Sequence, residues 1–104
     1  MNRDWKQTFS DRVAPRLATS GLTGVVKVVV EGDKQPYYVR LGGKGAGIEA
    51  TVPKKLDGIV RGSADDLEAL LDGRMTLADG MLTERIAVSG DIQLVLGLGK
   101  VLSS

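Results

Sequence analysis

The feature that most constrains the fold of this chain is a change in the spacing of its apolar residues at Gly62. From Val25 to Arg61, apolar and polar residues alternate in short runs, which is the period of a half-buried β-strand. Beyond Gly62, Leu67, Leu70 and Leu71 recur at the three- and four-residue spacing of an amphipathic helix. Strands gathered early and helices gathered late are typical of α+β domains. We therefore predict an α+β fold.

Two of the early runs have the composition of paired strands. Val25 to Val30 is β-branched except for Lys27, and Tyr37 to Leu41 is again extended in character. Between them lie residues 31–36, whose glycine, aspartate and proline are typical of a turn. This arrangement predicts an antiparallel hairpin. Alternation places the following residues on its core-facing side: Val26, Val28, Val30, Tyr37, Val39 and Leu41.

Two further strands are expected before Gly62. A glycine-rich connection over residues 42–47 leads to a third strand, in which alternation turns Ile48, Ala50 and Val52 toward the core. Residues 57–58 are an Asp-Gly turn before a fourth strand over residues 59–61.

The amino-terminal segment has the pattern of an amphipathic helix. Trp5, Phe9, Val13 and Leu17 follow one another at intervals of four residues, which places them along one side. Pro15 lies within this pattern, where it removes a backbone hydrogen bond and clashes with the preceding turn. We therefore expect the helix to kink near Pro15 or to divide there into two short helices.

The late part of the chain carries the residue types that begin and end helices. Ser63 is placed to cap the leucine helix, an acidic residue follows three positions later, and Gly73 lies just past the helix end. Thr76 is placed to cap a second short helix. A strand is expected over residues 85–90, after which Asp91 caps a final apolar helix.

The run from Gly62 to Arg74, with its continuation through Leu77 and Met81 to Asp91, resembles the carboxyl half of sterol carrier protein 2 domains. The shared pattern is a capped leucine helix ending in glycine, a short helix, a strand ending in Gly-Asp, and an apolar closing helix. The resemblance implies a mainly antiparallel five-stranded twisted sheet covered by helices. It also implies an elongated apolar cavity that takes up sterols, fatty acyl chains or isoprenoids.

The side-chain inventory offers little for catalysis. The 104 residues include no histidine and no cysteine, and no serine lies in a Gly-x-Ser-x-Gly elbow. Asp65, Asp66 and Asp72 are explained by the start and the solvated end of a helix. Residues 45–50 match a Gly-x-Gly-x-x-Ala dinucleotide motif, but that motif requires a following helix where a strand is expected. We predict no enzymatic activity, no metal site and no cofactor.

Charge and hydropathy bear on partners and location. The net charge is +1 and no block of like charges stands out, which argues against a nucleic-acid partner. The longest apolar region, Ile92 to Leu102, is far shorter than the roughly 20 residues that span a bilayer. The first residues lack the apolar core of a secretory signal. We expect one domain over residues 1–104, located in the cytoplasm. It has no transmembrane segment, and transient contact with a membrane surface is compatible with the sequence.

Combined with the resemblance, the inward residues of the late elements become the candidates for binding a lipid-like ligand. The first hypothesis is non-catalytic binding, with transfer, of a sterol, fatty acyl chain or isoprenoid. The alternative is an interaction or dimerisation module, paired with a second copy or with an enzyme of lipid or quinone biosynthesis. Gly97 and Gly99 lie inside the final helix, where glycine is unfavourable and therefore requires a packing explanation. The candidate ligand-binding residues are Leu67, Leu70, Leu71, Met75, Leu77, Met81, Leu82, Ile86, Val88, Leu94, Val95, Leu98, Val101 and Leu102.

Overall fold

The computed structural model describes residues 5–42, 46–49 and 51–103. Its first helical run changes type twice, and five strands and three further helices follow it. In chain order the elements are α1 (Trp5–Thr8), a π-helical segment π1 (Phe9–Val13), α2 (Ala14–Ala18), β1 (Val25–Glu31), β2 (Tyr37–Arg40), β3 (Gly47–Ile48), β4 (Gly58–Ser63), α3 (Ala64–Leu71), α4 (Leu77–Leu82), β5 (Ile86–Gly90) and α5 (Ile92–Ser103).

The strands form one sheet in the order β3-β2-β1-β4-β5. The β3–β2, β2–β1 and β4–β5 pairs are antiparallel, whereas β1 and β4 are parallel. The parallel pair arises because β2 and β3 build outward on one side of β1, after which the chain returns to the other side. The predicted α+β fold with a mainly antiparallel five-stranded sheet is confirmed.

The hairpin and its alternation are also confirmed. In the β1–β2 register Val28 lies opposite Tyr37 and Val26 lies opposite Val39. Val26, Val39 and Leu41 are at most 2% exposed, and Lys27 is only half-buried on the opposite face. One side of the hairpin therefore carries the core, as the period of two requires.

The third strand is shorter than predicted, because β3 contains only Gly47 and Ile48. Val52 is 73% exposed, so its inward placement is wrong. Pro53 cannot donate to a strand ladder and restricts Val52 before it, which is consistent with the exposure of Val52 outside the sheet. Ala50 and residues 43–45 of the glycine-rich connection lie outside the described residues.

The amino-terminal helix is irregular just before Pro15, as the sequence predicts. The π-helical segment ends at Val13, and Pro15 lies in the first turn of α2, where its missing N–H is tolerated. The expected division near Pro15 therefore takes the form of a change in helix type. Phe9, Val13 and Leu17 are buried, whereas the side chain of Trp5 lies outside the described part of the chain.

The predicted helix caps of the late half are present. The backbone N–H of Asp66 donates to Ser63 Oγ at 3.1 Å, and the N–H of Asp79 donates to Thr76 Oγ1 at 3.1 Å. The N–H of Leu94 likewise donates to an Asp91 carboxylate oxygen at 3.1 Å. These bonds satisfy donors that a helix leaves unpaired at its first turn.

Replacing the cap of α3 is expected to lower stability measurably. Ser63→Ala removes the acceptor for the Asp66 N–H and should reduce the free energy of unfolding by about 1 kcal/mol. Urea denaturation followed by circular dichroism measures this change. Ser63→Thr keeps a hydroxyl at the same position and is expected to restore most of the loss. An equal loss in both variants would contradict the capping role.

Helices α3 and α5 pack against β4 and against each other, and α4 packs against α5 and β5. The core lies between this helical layer and the sheet, and it continues under the amino-terminal helix. Among the described residues, every buried side chain of this core is apolar. This layer between sheet and helices is therefore where an apolar ligand would have to lie.

Candidate functional site

An apolar cavity of about 60 Å³ lies between the inner face of the sheet and the helices that cover it. None of its lining side chains carries a hydrogen-bonding group. The cavity can therefore accept only the apolar part of a ligand, because a polar group placed there would lose its hydrogen bonds to water. The lining residues are Phe9, Val28, Val39, Val60, Leu67, Leu70, Leu71, Leu77, Val95, Leu98, Gly99 and Leu102.

The sheet contributes valines that the strand register brings together. Val28 of β1 lies beside Val60 of β4 in the parallel pair. β2 flanks β1 on the edge opposite β4, and there Val39 of β2 is paired with Val26 of β1. Branched side chains held by strand pairing form a wall with little rotamer freedom.

Helix α3 supplies the facing leucines. Leu67, Leu70 and Leu71 are each no more than 6% exposed, because their spacing keeps them on one side of the helix. Gly73, in the left-handed conformation at φ +78°, ends the helix immediately after this stripe.

Helix α5 completes the lining, and its glycines permit close packing. A Cβ atom on Gly99 would lie 2.8 Å from Cβ of Leu77 in α4, and one on Gly97 would lie 2.9 Å from Leu22 Cδ2. Both distances are shorter than real side-chain contacts. The glycines are therefore explained by the approach of α4 and of the residue-22 loop to α5.

The residues predicted as ligand-binding do not share one environment. Several line the cavity, whereas others pack around the core without facing the cavity. The lining group is Leu67, Leu70, Leu71, Leu77, Val95, Leu98 and Leu102. The surrounding group, buried or half-buried, is Met75, Met81, Ile86, Val88, Leu94 and Val101.

The inward placement of Leu82 is wrong. Its side chain is 81% exposed, whereas Leu77 and Gly80 of the same helix are buried. At about 100° per residue, Leu82 lies about 140° around α4 from Leu77 and therefore faces away from the core.

Sequence reasoning missed the lining residues outside the late elements. Strand alternation had already turned Val28 and Val39 inward, and the four-residue spacing had placed Phe9 on the buried side of its helix. Together with Val60, these residues could have been found by combining the strand and helix faces. The resemblance, which was specific to the late half, drew the candidates there instead.

Titratable groups lie outside this cavity. The pKa of the Tyr37 phenol is raised, first by burial and then by the nearby Asp33 carboxylate, so the phenol is neutral at neutral pH. Among the described residues, no three His, Cys, Asp or Glu side chains are grouped so that they could hold a metal ion. In the same part of the chain, no helix has the length and apolar character needed to cross a bilayer.

A second concavity, of about 540 Å³, opens to solvent between α4 and α5. Unlike the cavity, it has polar residues on its rim. It shares Leu77 and Gly99 with the cavity. Its lining residues are Thr76, Leu77, Ala78, Gln93, Leu96, Gly97, Gly99 and Lys100, and we call it the α4–α5 groove.

Residues 5–103 match the model of the SCP-2 sterol transfer family. No curated protein sequence matches the chain. Among solved structures, UbiJ-SCP2, a ubiquinone synthesis protein, superposes with a TM-score of 0.74 at 18% identity over 93% of this chain and 88% of the other. Palmitated SCP2L2 from Aedes aegypti superposes with a TM-score of 0.72 at 21% identity, over 100% of this chain and 96% of the SCP2L2 chain.

A similar domain also occurs within a larger enzyme. The sec-alkylsulfatase Pisa1 from Pseudomonas sp. superposes with a TM-score of 0.68 at 17% identity. The match covers 88% of this chain but 15% of the sulfatase. At these identities the superpositions establish a common fold.

Proposed function

Because the chain belongs to the SCP-2 sterol transfer family, we propose that it binds a lipid-like molecule without catalysing a reaction on it. The apolar body of the ligand, a sterol, fatty acyl chain or isoprenoid, occupies the cavity between the sheet and α3, α4 and α5. The observation that carries the proposal is the lining of that cavity, which is entirely apolar among the described residues. The palmitated state of the Aedes aegypti relative supports an acyl chain as one ligand.

The cavity has to expand to hold such a ligand. Its volume of about 60 Å³ is well below the roughly 300–1,000 Å³ of typical small-molecule sites. Leucine side chains from α3 and α5 form much of its lining, so rotamer changes and small helix displacements enlarge it without breaking hydrogen bonds. Burial of about 300 Å² of ligand surface contributes roughly 7 kcal/mol, from which the costs of expansion and ordering are subtracted.

Titration with an environment-sensitive fluorescent fatty acid tests this proposal. We expect saturable fluorescence enhancement that palmitate reverses, with competition by sterols and isoprenoid quinones ranking the classes of ligand. Circular dichroism of the same sample establishes that the protein is folded. Absence of saturable binding by folded protein would contradict the proposal.

A second candidate function is that of an interaction module in the cytoplasm, formed by residues 1–104 as one domain. Two observations favour it. Leu82 and Ile92 are 81% and 43% exposed, and the fold recurs in a sulfatase and in a ubiquinone synthesis protein. The partner is then a second copy or an enzyme of lipid or quinone biosynthesis, which places hydrophobic surface on α4 and α5 in contact with it.

Sedimentation velocity distinguishes self-association from a monomeric carrier. We expect a dimer of the unmodified protein to dissociate on Leu82→Asp, because the charge would be buried in the contact. Thr83→Asp, one position further along at another exposed site, provides the matched control. A monomeric mass for the unmodified protein would reject the homodimer.

A further inference from the structure

The cavity and the α4–α5 groove are adjacent and share two lining residues. Leu77 and Gly99 line both spaces. The ideal Cβ position on Gly99 lies 2.8 Å from Leu77 Cβ and 3.0 Å from its Cδ2, so the leucine side chain rests directly on the glycine. No side chain larger than hydrogen fits at residue 99 without moving this contact. The Leu77 side chain, resting on Gly99, therefore lies between the two spaces.

Leu77 is a buried core residue, 5% exposed, at the start of a short helix. It is the first residue of α4, a helix of six residues, and it follows the exposed Thr76 cap. Its contact with Gly99 is van der Waals contact only, and a leucine changes rotamer without breaking a hydrogen bond. A rotation that moves this side chain off Gly99 would join the cavity to the groove.

The groove differs from the cavity in its chemistry. Gln93, Leu96, Gly97 and Lys100 follow the spacing of one face of α5 and line the groove together. Lys100 is exposed in the last turn of α5 and brings a positive charge to this rim. The two joined spaces therefore present an apolar interior and a cationic, hydrogen-bonding mouth.

We propose that the α4–α5 groove binds the anionic head of a single-chain amphiphile whose tail enters the cavity past Leu77, and that Leu77 on Gly99 is the gate. This inference rests on the proposed lipid-binding function and adds the entry route of a long-chain carboxylate and the residues that bind its head. Lys100 holds the carboxylate, with Gln93 as a second hydrogen-bond donor. The head stays in the solvated groove, so no charge is buried in the apolar cavity.

Stopped-flow binding of a fluorescent fatty acid tests the gate. Leu77→Ala is expected to accelerate both association and dissociation at least threefold. Leu41→Ala removes the same atoms from a buried leucine that lines neither the cavity nor the groove, and it should leave the association rate unchanged. Equal association rates in the two variants would overturn the gate. If the alanine variants do not fold, Leu77→Val and Leu41→Val make the same comparison with a smaller loss of packing.

Comparison of palmitate with hexadecanol tests the head site. Lys100→Gln should weaken palmitate binding about two- to fivefold, as expected for an exposed ion pair, and leave hexadecanol binding unchanged. Lys54→Gln, an equivalent charge loss at an exposed loop residue outside the groove, should change neither affinity. Equal responses of the two lysine variants would overturn the head site. Failure of the unmodified protein to bind either compound would instead overturn the proposed function itself.

Discussion

Gly90→Ala is expected to reduce the free energy of unfolding by about 2–5 kcal/mol. Gly90 ends β5 at φ +83°, where a Cβ atom costs about 1–2 kcal/mol by itself. An added Cβ would also lie 2.8 Å from the Asp57 carbonyl oxygen and 2.9 Å from the Gly58 Cα. Both neighbours are backbone atoms and cannot rotate away. The same Asp57 oxygen accepts a hydrogen bond from the Asp91 N–H, so displacement disturbs the turn into α5.

Gly73→Ala provides the matched control for this prediction. Gly73 has a similar φ of +78°, but an added Cβ would meet no atom within 4 Å. Gly73→Ala should therefore reduce the free energy of unfolding only by the cost of placing a Cβ atom at positive φ, about 1–2 kcal/mol. Urea denaturation of both variants measures the difference. Equal losses would show that the crowding at Gly90 is relieved by relaxation of the strand.

Leu98→Trp is expected to lower the affinity for palmitate at least tenfold while leaving the protein folded. Leu98 is 5% exposed and lines the cavity from α5, so the larger indole ring occupies the space that the acyl chain needs. The enlargement goes into an existing void, which limits the destabilisation to about 1–3 kcal/mol. Competition against a fluorescent fatty acid gives the affinity, and thermal unfolding gives the stability.

Ile92→Trp is the control for Leu98→Trp. Ile92 lies on the same helix, is 43% exposed and does not line the cavity, so this variant should bind palmitate normally. If Leu98→Trp is too unstable to assay, Leu98→Phe fills less of the void and should show a smaller loss in the same direction. Unchanged affinity in a folded Leu98→Trp would place the acyl chain elsewhere.

The parts of the fold that depend on local chemistry could be predicted from the sequence. Ser63 and Thr76 cap helices because their hydroxyls reach the backbone a few residues ahead, and this requires no knowledge of the tertiary structure. The β1–β2 hairpin follows from alternation on either side of a short turn. These features are properties of neighbouring residues.

The parallel pairing of β1 with β4 could not be predicted in the same way. It joins Val28 to Val60 across a long stretch of chain, and strand composition does not specify the partner of a strand. The cavity depends on this pairing, since those two valines stand side by side in its wall. The exposure of Leu82 could not be predicted either, because a six-residue helix is too short for residue spacing alone to identify its buried side.

The interior strand β4 and the edge strand β5 hold the helices that follow them with unequal firmness. β4 is hydrogen-bonded to strands on both sides, and its last residue, Ser63, is also the cap of α3. Helix α3 is thus attached to the interior of the sheet with no linker that could flex. β5, from which α5 departs, is an edge strand bonded on one side only. If the cavity binds a lipid as proposed, we expect it to enlarge by displacement of α5 and the short α4, while α3 keeps its position on the sheet.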